Sequence, residues 1–171
     1  MDSHILPPDV YELAQRVIDE NKAIGRTVTV AESCTGGLVA AALTEIPGSS
    51  AVFHCGFTTY SNDAKIGMLD VPQDLIEVFG AVSMAVAWAM AQGALAHSDA
   101  DIAVAISGVA GPGGGTEQKP VGTVVFAKAG RGEDPENIQA DRQDFGEDKS
   151  RAAIRLQAVI CALELLLPDG P

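Results

Sequence analysis

Apolar positions along the chain fall into two kinds of segment. Short β-branched runs, TVTVA at residues 27–31 and DIAVAIS at residues 101–107, are bounded by polar or glycine-rich stretches and read as buried strands. Longer stretches of helical period lie between them. The pattern predicts a helix capped by Asp9 and running to about Ala23, where Gly25 ends it. After the first strand comes a helix over residues 38–46, closed by Pro47-Gly48, and then a strand over residues 51–60. Ser61-Asn62-Asp63 opens a short helix through Met68, Pro72 opens another towards Phe79, and Ser83 caps an alanine-rich helix. Strands are expected at residues 101–107 and 121–127, with a more polar fifth at 137–145, before a terminal helix over residues 148–167. This alternation predicts an α/β fold: a single three-layer sandwich, a mixed sheet with helices on both faces. In such sheets ligands gather where strands end in loops.

Length and composition narrow the picture. The 171 residues suit one domain, residues 1–171, and the 47% hydrophobic content is enough to give it a core. A net charge of −12 argues against nucleic-acid binding through a broad basic patch, while leaving room for a local basic pocket that takes a small phosphate. Cys34, Cys55 and Cys161 are too widely spaced for a disulfide framework or a zinc site, which fits a reducing, cytoplasmic setting. His4, His54 and His97 form no metal-ligand spacing. The first nine residues carry no signal-peptide pattern, and the longest apolar stretch, residues 81–96, is interrupted by Gln92 and Gly93. It reads as a buried helix, not a membrane span. Its small residues also suit a homodimer contact.

Three segments can carry chemistry. The first is AESCTGG, residues 31–37. A strand turning directly into a helix exposes its turn residue and aims backbone N–H groups at one point, where an oxyanion can be held. Ser33 is then a candidate nucleophile, with Thr35, Gly36 and Gly37 around the substrate. The bland account is that Ser33 or Thr35 caps the helix, and on spacing alone the cap is favoured. Cys34 is a rival nucleophile, with His54 as its base. The second segment, residues 58–65, places Tyr60 at a strand end and Lys65 about one helical turn later. A desolvated lysine activates a serine where no His/Asp pair is evident, although a surface lysine and a rim tyrosine explain the same residues. The third, SGVAGPGGG at residues 107–115, matches neither a Walker A loop nor a dinucleotide fingerprint. Its glycines can form an amide-lined concavity for an anion or a plain flexible connection. Arg151 and Arg155 share a helix face and can bind a phosphate or pair with acids.

Taken together, AESCTGG (residues 31–37), YSNDAK (60–65), GAVS (80–83), SGVAGPGGG with KPVGTV after it (107–124) and SRAAIR (150–155) resemble the C-terminal domain family of the competence/damage-inducible protein CinA. The resemblance spans nearly the whole chain, in order. Full-length relatives carry a larger N-terminal domain, so this looks like a stand-alone version. The resemblance implies hydrolysis of the carboxamide of nicotinamide mononucleotide to nicotinate mononucleotide and ammonia, in pyridine-nucleotide recycling. It implies Ser33 as the nucleophile with Tyr60 and Lys65 as its activating pair. Ser107, Gly108 and Gly111 of the glycine-rich loop, with Arg151 and Arg155, would grip ribose and phosphate. No metal or organic cofactor is implied, and the expected partner is a small pyridine mononucleotide. Ser107 stands where relatives often have threonine, and Cys55-Gly56 where many have Gly-Gly. A reading of another class is a non-catalytic nucleotide- or protein-binding module linked to competence or DNA damage.

Overall fold

The computed structural model describes residues 4–170. Its elements in chain order are α1 (Pro8–Ala23), β1 (Val28–Glu32), α2 (Leu38–Thr44), a 3-10 turn (Ser49–Ala51), β2 (Phe57–Thr58), α3 (Asn62–Leu69), α4 (Gln73–Phe79), α5 (Met84–Ala96), β3 (Ile102–Gly108), β4 (Thr123–Gly130), β5 (Ala140–Asp144) and α6 (Arg151–Leu166). The strands form one sheet in the order β2-β1-β3-β4-β5. β2, β1 and β3 run parallel, whereas β4 and β5 are antiparallel to their neighbours. The sheet is therefore mixed, and helices cover both of its faces.

Side-chain alternation sorts the two faces. Val28 and Val30 of β1, Ile102, Val104 and Ile106 of β3, and Val124 and Phe126 of β4 join a core with α1, α2 and α6. The intervening positions Ala31, Ala103, Ala105, Val125, Ala127 and Ala129 face the other way, against α5 and the residues around α3 and α4. One face is thus built of large residues and the other mostly of alanine. The alanine face lets the alanine-rich α5 lie close to the sheet, and its Ala87, Met90, Ala91 and Ala94 are fully buried there. The small residues of α5 serve core packing within this chain. Gly93 brings α5 against the end of α3: a Cβ there would lie 2.0 Å from the Leu69 carbonyl oxygen. Among the described residues no helix is long and apolar enough to cross a membrane.

Two expectations need correction. Asp9 lies inside the first turn of α1; Pro7 occupies the cap and Pro8 starts the helix, where its missing N–H costs nothing. The continuous strand expected over residues 51–60 reduces to Phe57–Thr58. Val28 bridges Phe53 and Ala31 pairs with Phe57, so the two residues of β1 between these pairs face three on the partner. That extra residue breaks the ladder as a bulge does, and Thr29 Oγ1 donates to the Cys55 carbonyl at 2.8 Å within the gap. The polar fifth strand exists but is short, an edge strand exposed along most of its length.

Candidate active site

The parallel strands β1, β2 and β3 end at one edge of the sheet, because Glu32 is in register with both Thr58 and Ile106. Just beyond the ends of β1 and β2 lie Ser33 and Thr59, and Ser107 is the last residue but one of β3. The N-terminus of α6 arrives at the same edge. A cavity of about 200 Å³ opens there, lined by Ser33, Tyr60, Lys65, Ser107, Gly108 and Arg151 together with Cys34, Asn62, Ala81, Val82 and Ala110.

At its floor Lys65 Nζ lies 3.0 Å from Ser33 Oγ. Ser61 Oγ accepts from the Ala64 N–H and so starts α3, which puts Lys65 four residues beyond the cap, facing inwards. Lys65 is only 1% exposed, and no carboxylate pairs with it among the described ion pairs. Its other contacts are the carbonyl oxygens of Thr59 at 2.8 Å and Tyr60 at 3.4 Å. Burial away from water pushes the Lys65 pKa below its ordinary value. A neutral amine has two N–H bonds and one lone pair. The two carbonyls can accept both N–H groups, leaving the lone pair towards the Ser33 hydroxyl.

Ser33 is free for this because another residue caps α2. Gly37 at the cap makes no side-chain bond. Instead the buried Glu32 carboxylate accepts from the Val39 N–H at 2.9 Å and the Ala40 N–H at 3.1 Å. The capping role considered for Ser33 and Thr35 thus belongs to the residue before them, which the sequence reading missed. A helix start with no cap of its own, following a strand-terminal glutamate, was the available signal.

The turn holds its shape through its own backbone. The Ser33 N–H donates to the Ile106 carbonyl at 2.9 Å, and the Gly36 N–H closes onto the Ser33 carbonyl at 3.0 Å. Gly36 and Gly37 have φ of 60° and 98°, where a Cβ is strained. The Ser33 and Gly36 amides are therefore spent. Among the described residues the amides of Cys34, Thr35 and Gly37 have no protein partner.

The other expected residues divide. The Tyr60 side chain is 65% exposed, and its phenol oxygen accepts from Arg151 Nη2 at 3.3 Å. Among the described hydrogen bonds the phenol reaches neither Ser33 nor Lys65; only the Tyr60 carbonyl touches the lysine. The strand end that buries Thr59 turns the next side chain outwards, which separates Tyr60 from the implied activating pair. Arg151 also donates to the Gly111 carbonyl at 2.7 Å, tying the glycine-rich loop to the cavity rim. Arg155 does not line the cavity: Nε donates to the Cys34 carbonyl at 3.0 Å and Nη2 to the Thr35 carbonyl at 3.2 Å. Ser107 Oγ donates to the Ala81 carbonyl at 2.8 Å and so fixes the cavity's opposite wall. Gly108 leaves no room for a Cβ, which would lie 2.8 Å from Val124 Cγ2 and 3.1 Å from Cys34 Sγ.

Cys34 packs in the core, where burial pushes its thiol up to about 11, and His54 is exposed on the segment before β2. No hydrogen bond joins them among the described residues, so the rival nucleophile lacks both thiolate and base. Among the described residues no group of three or more His, Cys, Asp or Glu side chains is placed to hold a metal ion.

Comparison with known proteins agrees with the fold. A family model described as the CinA C-terminal domain matches residues 10–168. The nicotinamide-nucleotide amidohydrolase PncC of Escherichia coli (strain K12) is 50% identical over 159 residues, covering 92% of this chain and 93% of that protein. A CinA-like protein of Parasynechococcus marenigrum is 48% identical over 154 residues; the match covers 90% of this chain but only 36% of that longer protein. The crystal structure of competence/damage inducible protein CihA from Agrobacterium tumefaciens superposes with a TM-score of 0.90 at 49% identity, covering 95% of this chain and 96% of that one.

Proposed function

Because the chain belongs to the CinA C-terminal domain family, we propose that it hydrolyses the carboxamide of nicotinamide mononucleotide, with Ser33 as nucleophile and Lys65 as base. The observation that carries this reading is the 3.0 Å approach of Lys65 Nζ to Ser33 Oγ in a buried setting without a carboxylate. A lysine used only for structure would be paired or solvated. The substrate class comes from the relative named a nicotinamide-nucleotide amidohydrolase, which aligns over most of both chains.

In the reaction Ser33 Oγ attacks the amide carbon while its proton passes to Lys65 Nζ. The developing oxyanion is met by the unspent amide of Cys34, which lines the cavity, such a donor being worth about 3 kcal/mol. Lys65 then returns the proton to the departing nitrogen, and ammonia leaves. Water, deprotonated by the same amine, attacks the acyl-Ser33 ester; Lys65 passes that proton to the departing Ser33 Oγ as nicotinate mononucleotide is released. A cationic pyridinium ring in the cavity would further disfavour protonated Lys65. Arg151 is the cation on the cavity rim and serves the phosphate. Tyr60 acts through its backbone carbonyl on Lys65 and through its phenol on Arg151, a supporting role in place of proton relay.

Incubating purified protein with nicotinamide mononucleotide and following ammonia and nicotinate mononucleotide tests the reading. Equimolar products from the wild type and none from a folded Ser33→Ala variant are expected. Tight nucleotide binding without turnover would favour the non-catalytic module instead.

A further inference from the structure

Arg155 lies one helical turn beyond Arg151 on α6 but serves a different structure. Its guanidinium is half-buried and unpaired with any carboxylate among the described ion pairs. It spans two successive carbonyls of the nucleophile turn, Cys34 at 3.0 Å and Thr35 at 3.2 Å. In a trans peptide the carbonyl and the following N–H point in opposite directions. Holding the Cys34 carbonyl towards α6 therefore turns the Thr35 N–H away from α6. Holding the Thr35 carbonyl likewise directs the Gly36 N–H, which closes onto the Ser33 carbonyl at 3.0 Å and so fixes the peptide that carries the Cys34 N–H. Gly36 fits under the guanidinium with little to spare, since a Cβ would lie 3.3 Å from Arg155 Nη2.

We propose that Arg155 is a positioning residue that orients the unpaired amide of Cys34, at the cavity wall, as an oxyanion-hole donor for Ser33, and that it is not a phosphate ligand. The inference rests on the amidohydrolase reading above. A planar fork holds the two carbonyls through separate nitrogens in a fixed geometry, Nε on Cys34 and Nη2 on Thr35; a lysine ammonium on a flexible stem holds its position less well. Misdirected donors cost rate and leave ground-state binding alone, because an oxyanion exists only after attack.

Arg155→Met, Arg155→Lys and Arg151→Met are compared for deamidation of nicotinamide mononucleotide. The same proteins are compared for the rate at which phenylmethylsulfonyl fluoride labels Ser33, read by intact-protein mass. Arg155→Met should lower kcat on the order of 100-fold, with KM within about 2-fold of wild type and labelling slowed in parallel. Arg155→Lys should recover part of the rate, and it carries the test if the methionine variant does not fold. Arg151→Met should raise KM and leave labelling unchanged. A raised KM with kcat retained in Arg155→Met would make Arg155 a phosphate ligand and overturn the proposal, as would a lysine variant as active as wild type. If the wild type releases no ammonia, the substrate reading fails and labelling alone judges Arg155: equal rates overturn the inference. A wild-type Ser33 that is not labelled at all overturns both.

Discussion

The carboxylate of Glu32 and the hydroxyl of Ser33, adjacent in the chain, point to different tasks at the end of β1. Glu32 turns into the start of α2 and accepts two N–H groups there, at 2.9 and 3.1 Å. Ser33 turns into the cavity and meets Lys65 at 3.0 Å. A strand sends successive side chains to opposite faces, so the pair separates helix capping from chemistry without a loop between them. An anion at the helix start also spends the positive end of the α2 dipole on Glu32, which leaves the turn amides as the donors for a substrate oxygen.

Glu32→Gln should therefore destabilise the protein without touching the cavity directly. The amide keeps one acceptor oxygen and turns an NH2 group on the second backbone N–H, and the charge that favoured the helix start is lost. A cost of about 2 kcal/mol is expected for losing a buried, charge-assisted hydrogen bond, or roughly 4–8 °C in Tm for a chain of this size. Thermal unfolding followed by circular dichroism measures it. A variant as stable as wild type would mean that Glu32 does not cap α2.

Gly93 sets the distance between α5 and α3, the helix that carries Lys65. Gly93→Ala gains about 1 kcal/mol in helix propensity, but its methyl group would sit 2.0 Å from the Leu69 carbonyl oxygen. Backbone must move, at a net cost of about 2–3 kcal/mol. Because α3 shifts with it, deamidation should fall while the substrate KM changes little. An alanine variant with unchanged Tm would contradict this packing.

The phosphate prediction follows from where free positive charge lies. Arg151 bridges Tyr60 and Gly111 on the rim, and in a chain of net charge −12 it is the exposed cation lining this cavity. Free nicotinamide should be a poor substrate beside its mononucleotide, by roughly 100-fold or more in kcat/KM for a charge-assisted contact of about 3 kcal/mol. Arg151→Met should narrow that gap by raising KM for the mononucleotide alone. Equal kcat/KM for the two substrates in the wild type would remove the case for a phosphate contact.

Much of the architecture is legible in the chain. TVTVA and DIAVAIS announce the central strands because parallel strands, covered on both faces, must be apolar throughout. Ser61 and Ser83 mark helix starts, and each accepts from the N–H three residues on; the terminal helix, expected from residue 148, starts at Arg151 behind a Ser150 cap. Legibility fails where tertiary contacts decide. A bulge at residues 54–56 breaks the expected strand before β2, with Gly56 as its one local signal. The closeness of Ser33 and Lys65 is invisible to periodicity, since they are 32 positions apart and tertiary contacts, the parallel β1–β2 pairing among them, bring their elements together. Arg155 and Arg151 look alike in the sequence for a related reason. Spacing puts both on one helix face, but only the packing of α6 against the turn shows which one faces backbone carbonyls.

The central claim is that Lys65 accepts the Ser33 proton as a neutral amine, and the pH dependence of kcat/KM tests it most directly. Burial lowers the Lys65 pKa from the ordinary 10.5, so the competent neutral form is lost as pH falls through the shifted value. For wild type, log kcat/KM for nicotinamide mononucleotide should rise with unit slope from acid pH and level off below 10.5. Lys65→Arg keeps a cation whose proton does not leave in this range, and it should show no such limb and a rate lower by a factor on the order of 10³ or more. An active Lys65→Arg enzyme with the wild-type pH profile would show that the lysine only positions groups as a cation, and would contradict the account.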